Sequence, residues 1–340
     1  MKVSFETSSR IANASLVAAA AVVLLHVGIS GTTSAAAFPA RLFLRDFARF
    51  AVPFFFLVSG FLLAGHADES GWWRRETVKR LKSLLVPYVA WSALFGLYLL
   101  VGVALPELKR THAFDFVSWW NGKDLLLFGL DPRQTPLMLP LWYLRTLLIL
   151  VLASRLLVGV LRRLGVWSLV VFGSLYLGYA IAVDWMPELT TGDVFAMMRA
   201  TLSPEAFFYF TLGLWFRLRG LTPPVRAAAP ILCVTAALLV TRQLVGPWLP
   251  FPFVIPFAIY GIWCAVPATP WPKALTALSF PLYLVHWFFI HVLSRTCPEL
   301  GSTPVTFPLV FGAVMAASIL LTLVLRRLAP RASGLLFGGR

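Results

Sequence analysis

Long apolar stretches separated by short polar connectors run through almost the whole chain. A membrane-crossing helix needs ~20 mostly apolar residues. Segments of that kind recur at 11–29, 47–65, 83–104, 139–160, 166–183, 204–216, 227–245, 249–266, 275–293 and 304–325. They predict an all-α polytopic membrane helix bundle of about ten transmembrane helices, with residues 1–340 as a single domain. The segment at 204–216 is short, and an extension backward through Leu202 is expected. The segment at 249–266 contains Pro250, Pro252 and Pro256, which predict a kink or an interruption. The run from Ile11 to Ile29 is long for the apolar part of a signal peptide and precedes no convincing cleavage site, so it reads as a retained first helix.

Composition fits that pattern. Only 13% of the 340 residues are charged and 59% are apolar, whereas a soluble domain carries about 25% charged residues. The net charge of +15 would suggest a nucleic-acid partner in a soluble protein. Here most basic residues flank apolar segments, so membrane lipids are the expected partner and nucleic acid is not. Lysine and arginine resist translocation. With the N-terminus inside, 17 of them fall in the inner connectors and nine in the outer ones, which predicts both termini on the cytoplasmic side. Cys233, Cys264 and Cys297 show no metal-ligand spacing, so neither a disulfide nor a structural metal is expected.

Ionisable side chains inside lipid are costly and normally face the bundle interior. His26, Arg49, Arg145 and His286 fall within or at the outer ends of spans. The topology puts them at a similar depth, which predicts one polar cavity open toward the outer half of the membrane. Arg155 reads as snorkelling toward Arg162 and Arg163, and His291 as an interfacial histidine. For His286, a helix-to-helix hydrogen bond and a chemical role both stay open. A histidine at this depth suits proton abstraction from a hydroxyl, and a nearby guanidinium suits an anion or oxyanion. Acyl transfer to an alcohol fits, and so does a proton-coupled transporter for a lipid-linked sugar.

Other polar features carry less. Ser59 lacks the first glycine of a G-x-S-x-G elbow and reads as half of a Ser-Gly packing pair with Gly60. His66 has no aspartate five residues on and reads as a loop histidine. The connector at 105–138, with Trp119, Trp120 and the patch from Leu125 to Leu130, suits an interfacial or re-entrant lid. The stretch from Gly71 to Lys82 holds Trp72, Trp73, Arg74, Arg75, Lys79 and Arg80. Such a stretch either anchors a helix at anionic headgroups or binds the phosphates of a cytoplasmic donor such as a coenzyme A thioester.

Four segments in order resemble the acyltransferase 3 family of bacterial membrane proteins. They are Val22 to His26; Arg49 through Pro53, Phe54, Phe55, Phe56 and Ser59 to Leu62; Lys79 to Lys82 with Val86, Pro87 and Tyr88, followed by Pro140 to Leu147; and Leu278 to His286. The resemblance implies a ten-helix inner-membrane enzyme that transfers an acyl group, usually acetyl from acetyl-CoA, to a carbohydrate hydroxyl, with no bound cofactor. It implies His26 as the catalytic residue. Arg74, Arg75, Lys79 and Arg80 are expected on the acyl donor, and Arg49, Trp142, Tyr143, Arg145 and His286 around the acceptor. A cell-surface or lipid-linked oligosaccharide is the implied acceptor, as in stand-alone members that modify exopolysaccharide or lipopolysaccharide. One position departs from the family. Many members carry an arginine eleven residues before the histidine, and Ser15 stands there. A catalytically inactive scaffold is therefore a further reading.

Overall fold

The computed structural model describes residues 3–27, 39–104, 132–133, 135–296, 303 and 305–339. The lid expected at 105–138, with Trp119, Trp120 and the patch from Leu125 to Leu130, lies almost wholly outside these residues, and Cys297 lies outside them too. The described chain is all-helical, without a strand. Seven of its helical stretches are long and apolar enough to cross a membrane: Phe5–His26, Phe43–His66, Trp72–Tyr98, Leu141–Leu164, Val166–Trp185, Ala228–Val245 and Thr306–Leu328. Two shorter apolar helices, Phe251–Ala265 and Ser279–Leu293, accompany them. The chain is a multi-pass membrane protein.

The elements follow from the sequence with identifiable breaks. α1 (Phe5–His26) starts at Ser4, whose side chain accepts the Thr7 N–H as an N-cap does. The second span divides into α2 (Pro39–Ala48) and α3 (Ala51–Leu63). Pro53 has no N–H to offer the Arg49 carbonyl, so the helix opens into a turn at Arg49 and Phe50. The basic stretch is not a loop. α4 (Trp72–Arg80) runs through the π-helical turn Leu81–Leu85 into α5 (Val86–Ala104). Pro87 removes the donor that Ser83 C=O would meet in an α-helix, and a widened turn results.

α6 (Leu141–Leu164) and α7 (Val166–Trp185) are joined at Gly165. After α8 (Asp193–Ala200), α9 (Pro204–Leu218) follows. The expected extension of this span back through Leu202 is not found. Ser203 caps the helix through the Ala206 N–H and Pro204 takes its first position, a start signal that overrides apolarity; the helix lengthens forward instead. α10 (Ala228–Val245) is regular, and the proline-rich eighth segment breaks into the short turns Gly246–Trp248 and Phe251–Phe253 before α11 (Ile255–Ala265). α12 (Lys273–Thr276), α13 (Ser279–Thr296), α14 (Thr306–Leu328) and α15 (Pro330–Leu336) complete the chain.

The centre of the bundle is α3. The apolar window of the stretch Phe43–His66, which contains it, is 67% buried, against 11% for those of α7 and α10, so α7 and α10 turn most of their surface to lipid. α3 meets α9 at van der Waals limits. A Cβ on Gly60 would stand 2.1 Å from Phe210 O, and one on Gly213 would stand 1.9 Å from Leu57 O, the small-residue contact by which membrane helices approach closely. Ser59 and Gly60 thus sit where a packing pair was expected. At one end of the bundle Arg10 donates to Trp263 O and Val266 O, and Arg162 to Ala67 O and Asp68. Asn13, fully buried, ties α1 to the carbonyls of Pro267 and Thr269 and to the Trp271 N–H.

Candidate active site

α1 and α13 pack side by side and bring two histidines from opposite ends of the sequence into contact. His26 closes α1 and is 9% exposed, while His286, two turns into α13, is wholly buried. Their rings stack with centroids 5.5 Å apart and planes 27° apart, and the Trp287 ring meets His26 edge-on at 5.1 Å. His286 Nδ1 lies 3.1 Å from Leu282 O. A carbonyl only accepts, so the proton resides on Nδ1 and Nε2 keeps its lone pair. That Nε2 and His26 Nδ1 are both buried without a hydrogen-bond partner among the described residues. Buried polar atoms are nearly always satisfied, so two bare ring nitrogens in one stacked pair mark a place built for something other than packing.

Tyr283, one turn before His286, carries the site toward the other end of the bundle. Its ring is 6.2 Å from His286 and 5.4 Å from Tyr143, and its hydroxyl donates to Pro140 O. The Tyr143 hydroxyl stands 3.3 Å from Ser59 Oγ. Below these rings opens a cavity of about 150 Å³ whose polar lining includes Ser15, Ser59, Arg80, Tyr143, Ser279 and Tyr283. Arg80 enters from the end of α4. Its side chain is 18% exposed, and its Nε is buried 4.0 Å from Glu76 without a hydrogen bond to any described residue. Ser15 and His26 are eleven residues apart on one helix, about 16 Å at 1.5 Å per residue. A basic cavity and a histidine pair therefore share the α1–α13 seam at two levels.

The remaining expected residues distribute differently. Arg74, Arg75 and Lys79 are exposed on α4. Arg75 pairs with Glu69 and Lys79 with Glu76 at 3.7 Å, so of the four basic residues Arg80 is the one that lines the cavity. His66 is exposed beside Glu69 at 2.8 Å; that hydrogen bond first, and the nearby Arg75 after it, hold the Glu69 carboxyl below the usual carboxylate range. Trp142 is half-buried against Phe56, the rings 6.1 Å apart. Arg145 donates to Ala200 O at 2.8 Å and faces Tyr88, fastening α6 to the end of α8. Arg49 pairs with Asp46 at 3.4 Å and lies 4.2 Å over the Phe251 ring. Arg242 lies over that same ring at 3.8 Å and pairs with Asp184 at 3.2 Å. The structure thus joins His26 to His286 and fastens Arg49 and Arg145 to other partners, where one common cavity was expected. His291 packs between Phe95 and Tyr98.

Sequence reasoning passed over Tyr283, the cavity-facing side of Ser59, and the hydrogen bond of 2.7 Å from Tyr176 to Glu205. Glu205 carried a signal, a carboxylate opening an apolar segment.

Comparison with curated proteins and with solved structures gives no match. The family model described as an acyltransferase domain matches residues 16–327. That range contains the histidine pair, Arg80 and most of the cavity lining, and the chain belongs to the acyltransferase 3 family: it is a multi-pass membrane acyltransferase.

Proposed function

We propose that this acyltransferase moves an acetyl group from acetyl-CoA to a hydroxyl of a cell-surface or lipid-linked carbohydrate, in a bacterial inner membrane with both termini cytoplasmic. The observation that carries the reading is the stacked His26–His286 pair with two buried nitrogens that have no partner among the described residues, standing above a cavity that Arg80 enters from one end. A bare imidazole nitrogen accepts a proton from an alcohol. The alkoxide then attacks the thioester carbonyl. Collapse of the tetrahedral intermediate breaks the C–S bond, and the coenzyme A thiolate leaves with the proton that the imidazolium returns.

His26 is the base in this scheme, and His286, locked by Leu282 O in one tautomer, positions it. Arg80 suits a phosphate of the donor, because a guanidinium offers several N–H groups in a fixed fork. The cavity would hold the thioester arm, reaching past Ser59 and Tyr143 toward the histidines. Arg49, Trp142 and Arg145 remain candidates for the acceptor side.

The test compares O-acetyl content of surface polysaccharide in a deletion strain complemented with the wild-type chain or with His26→Ala, at matched membrane levels. Acetylation restored by the wild type and reduced about 10²- to 10⁴-fold with His26→Ala, the usual worth of a general base, is the expected result. Acetylation that is unchanged on deletion overturns the reading.

A further inference from the structure

The family match ends at residue 327, yet the chain beyond it returns to the π-helical turn that follows Arg80. α15 turns back from the end of α14, and its last residues lie against α5 and the π-helical turn. Phe337 is fully buried and its ring is 6.5 Å from that of Trp91. The Trp91 indole N–H donates to Leu336 O at 3.1 Å. Gly338 then adopts φ +65°, and a Cβ there would stand 2.4 Å from Ser83 O and 3.1 Å from Ser83 Cα. The obstacle is backbone on both sides, so neither partner has a flexible end that could give way. Ser83 is the residue whose carbonyl Pro87 deprives of its α-helical donor, and it sits three residues after Arg80.

We propose that residues 330–339 are a clamp that fixes the π-helical turn and thereby positions Arg80 in the cavity. Three contacts of different chemistry hold this segment in place: the buried Phe337 ring and the indole hydrogen bond both fall on Trp91 of α5, and Gly338 presses on the Ser83 carbonyl within the π-helical turn itself. A π-helical turn is rare and frequently marks a functional site. Fixing it determines where the next side chain upstream points. Arg80 is anchored behind by Glu76 at 4.0 Å and faces the cavity in front, so a small rotation of the turn would swing its guanidinium out of the lining. Phe337 and Gly338 are positioning residues in this account, because neither lines the cavity.

The inference rests on the donor reading for its kinetic arm only. With the purified full chain and acetyl-CoA, Gly338→Val and Phe337→Ala should raise KM for acetyl-CoA about tenfold or more, the loss of one charge-assisted contact, with kcat nearly unchanged. Phe337→Leu should recover most of the loss. Leu335→Ala, on the exposed face of the same helix (59% exposed), should do nothing. A folded Gly338→Val protein with wild-type KM overturns the clamp. If Gly338→Val does not accumulate, Phe337→Ala against Phe337→Leu decides by the same split.

A second arm needs no donor. In a chain with Cys233, Cys264 and Cys297 changed to serine, Arg80→Cys should react slowly with a water-soluble maleimide and several-fold faster once Gly338→Val is added. An unchanged rate overturns the proposal. Should the wild-type chain show no turnover with acetyl-CoA, the donor reading falls, and this labelling still decides the clamp.

Discussion

Two polar clusters lie among the apolar helices, and they are built in opposite ways. Around Phe251 each guanidinium has a carboxylate and the same aromatic ring: Arg49 has Asp46, Arg242 has Asp184, and they lie 4.2 and 3.8 Å from the ring centre, with Arg49 Nε facing Asp46 at ion-pair distance and making no hydrogen bond to a described residue. At the α1–α13 seam two imidazole rings stack while a buried nitrogen of each finds no partner among the described residues. Burying a charge is costly unless it is paired, so the first arrangement is how a membrane protein makes polar groups tolerable. The second leaves a cost standing, and such costs persist where a site uses them. A polar residue at membrane depth is therefore informative through its partners.

The largest effect should come from the unanswered pair. His26→Ala should reduce transfer by orders of magnitude, as above, while thermal unfolding in detergent changes little, because the buried Nδ1 makes no hydrogen bond to any described residue. A large fall in unfolding temperature with partly retained transfer would reverse the assignment and make the pair structural. The paired cluster should respond the other way. Arg242→Ala strands Asp184 and removes one cation from Phe251. Breaking a largely buried pair typically costs about 3 kcal/mol, so the unfolding temperature should drop by several degrees while transfer per folded molecule holds. Adding Asp184→Ala should cost less than the sum of the single changes, since the stranded charge is gone. Transfer abolished in a stable Arg242→Ala protein would erase the contrast between the clusters.

Much of the bundle was legible because lipid imposes one rule, a long apolar run per crossing. The division of the second span at Arg49 and the fragmentation at 246–253 both follow from prolines visible in the sequence. The start of α9 was equally visible in Ser203, Pro204 and Glu205, yet the expectation of a full-length span outweighed it. What hydropathy does not carry is which helices touch. His26 and His286 are 260 residues apart, and their contact follows from α1 packing on α13. Arg49 has a similar depth by topology, yet the turn forced by Pro53 aims it toward Phe251. The basic stretch at 72–82 showed its charge but not its helical form; the resemblance to the family singled out Arg80, but that it lines a cavity while Arg74 and Arg75 stay outside comes only from the three-dimensional arrangement.

The smallest effect sharpens where the unanswered region ends. Tyr283 lies between the histidine pair and the cavity, and its hydroxyl donates to Pro140 O, which the Tyr143 backbone N–H also approaches at 3.3 Å. Tyr283→Phe keeps the ring contacts with His286 and Tyr143 and leaves that carbonyl its backbone donor. The loss should be about 1 kcal/mol of stability, the net worth of one hydrogen bond, and less than about fivefold in kcat/KM. Transfer by purified Tyr283→Phe protein measures this directly. A loss that approaches that of His26→Ala, in a protein of unchanged unfolding temperature, would mean that this hydroxyl serves the reaction and that the chemical site extends from the histidines into the cavity. A loss confined to stability fixes the boundary at His286, with Tyr283 as the wall against which the histidine pair is held.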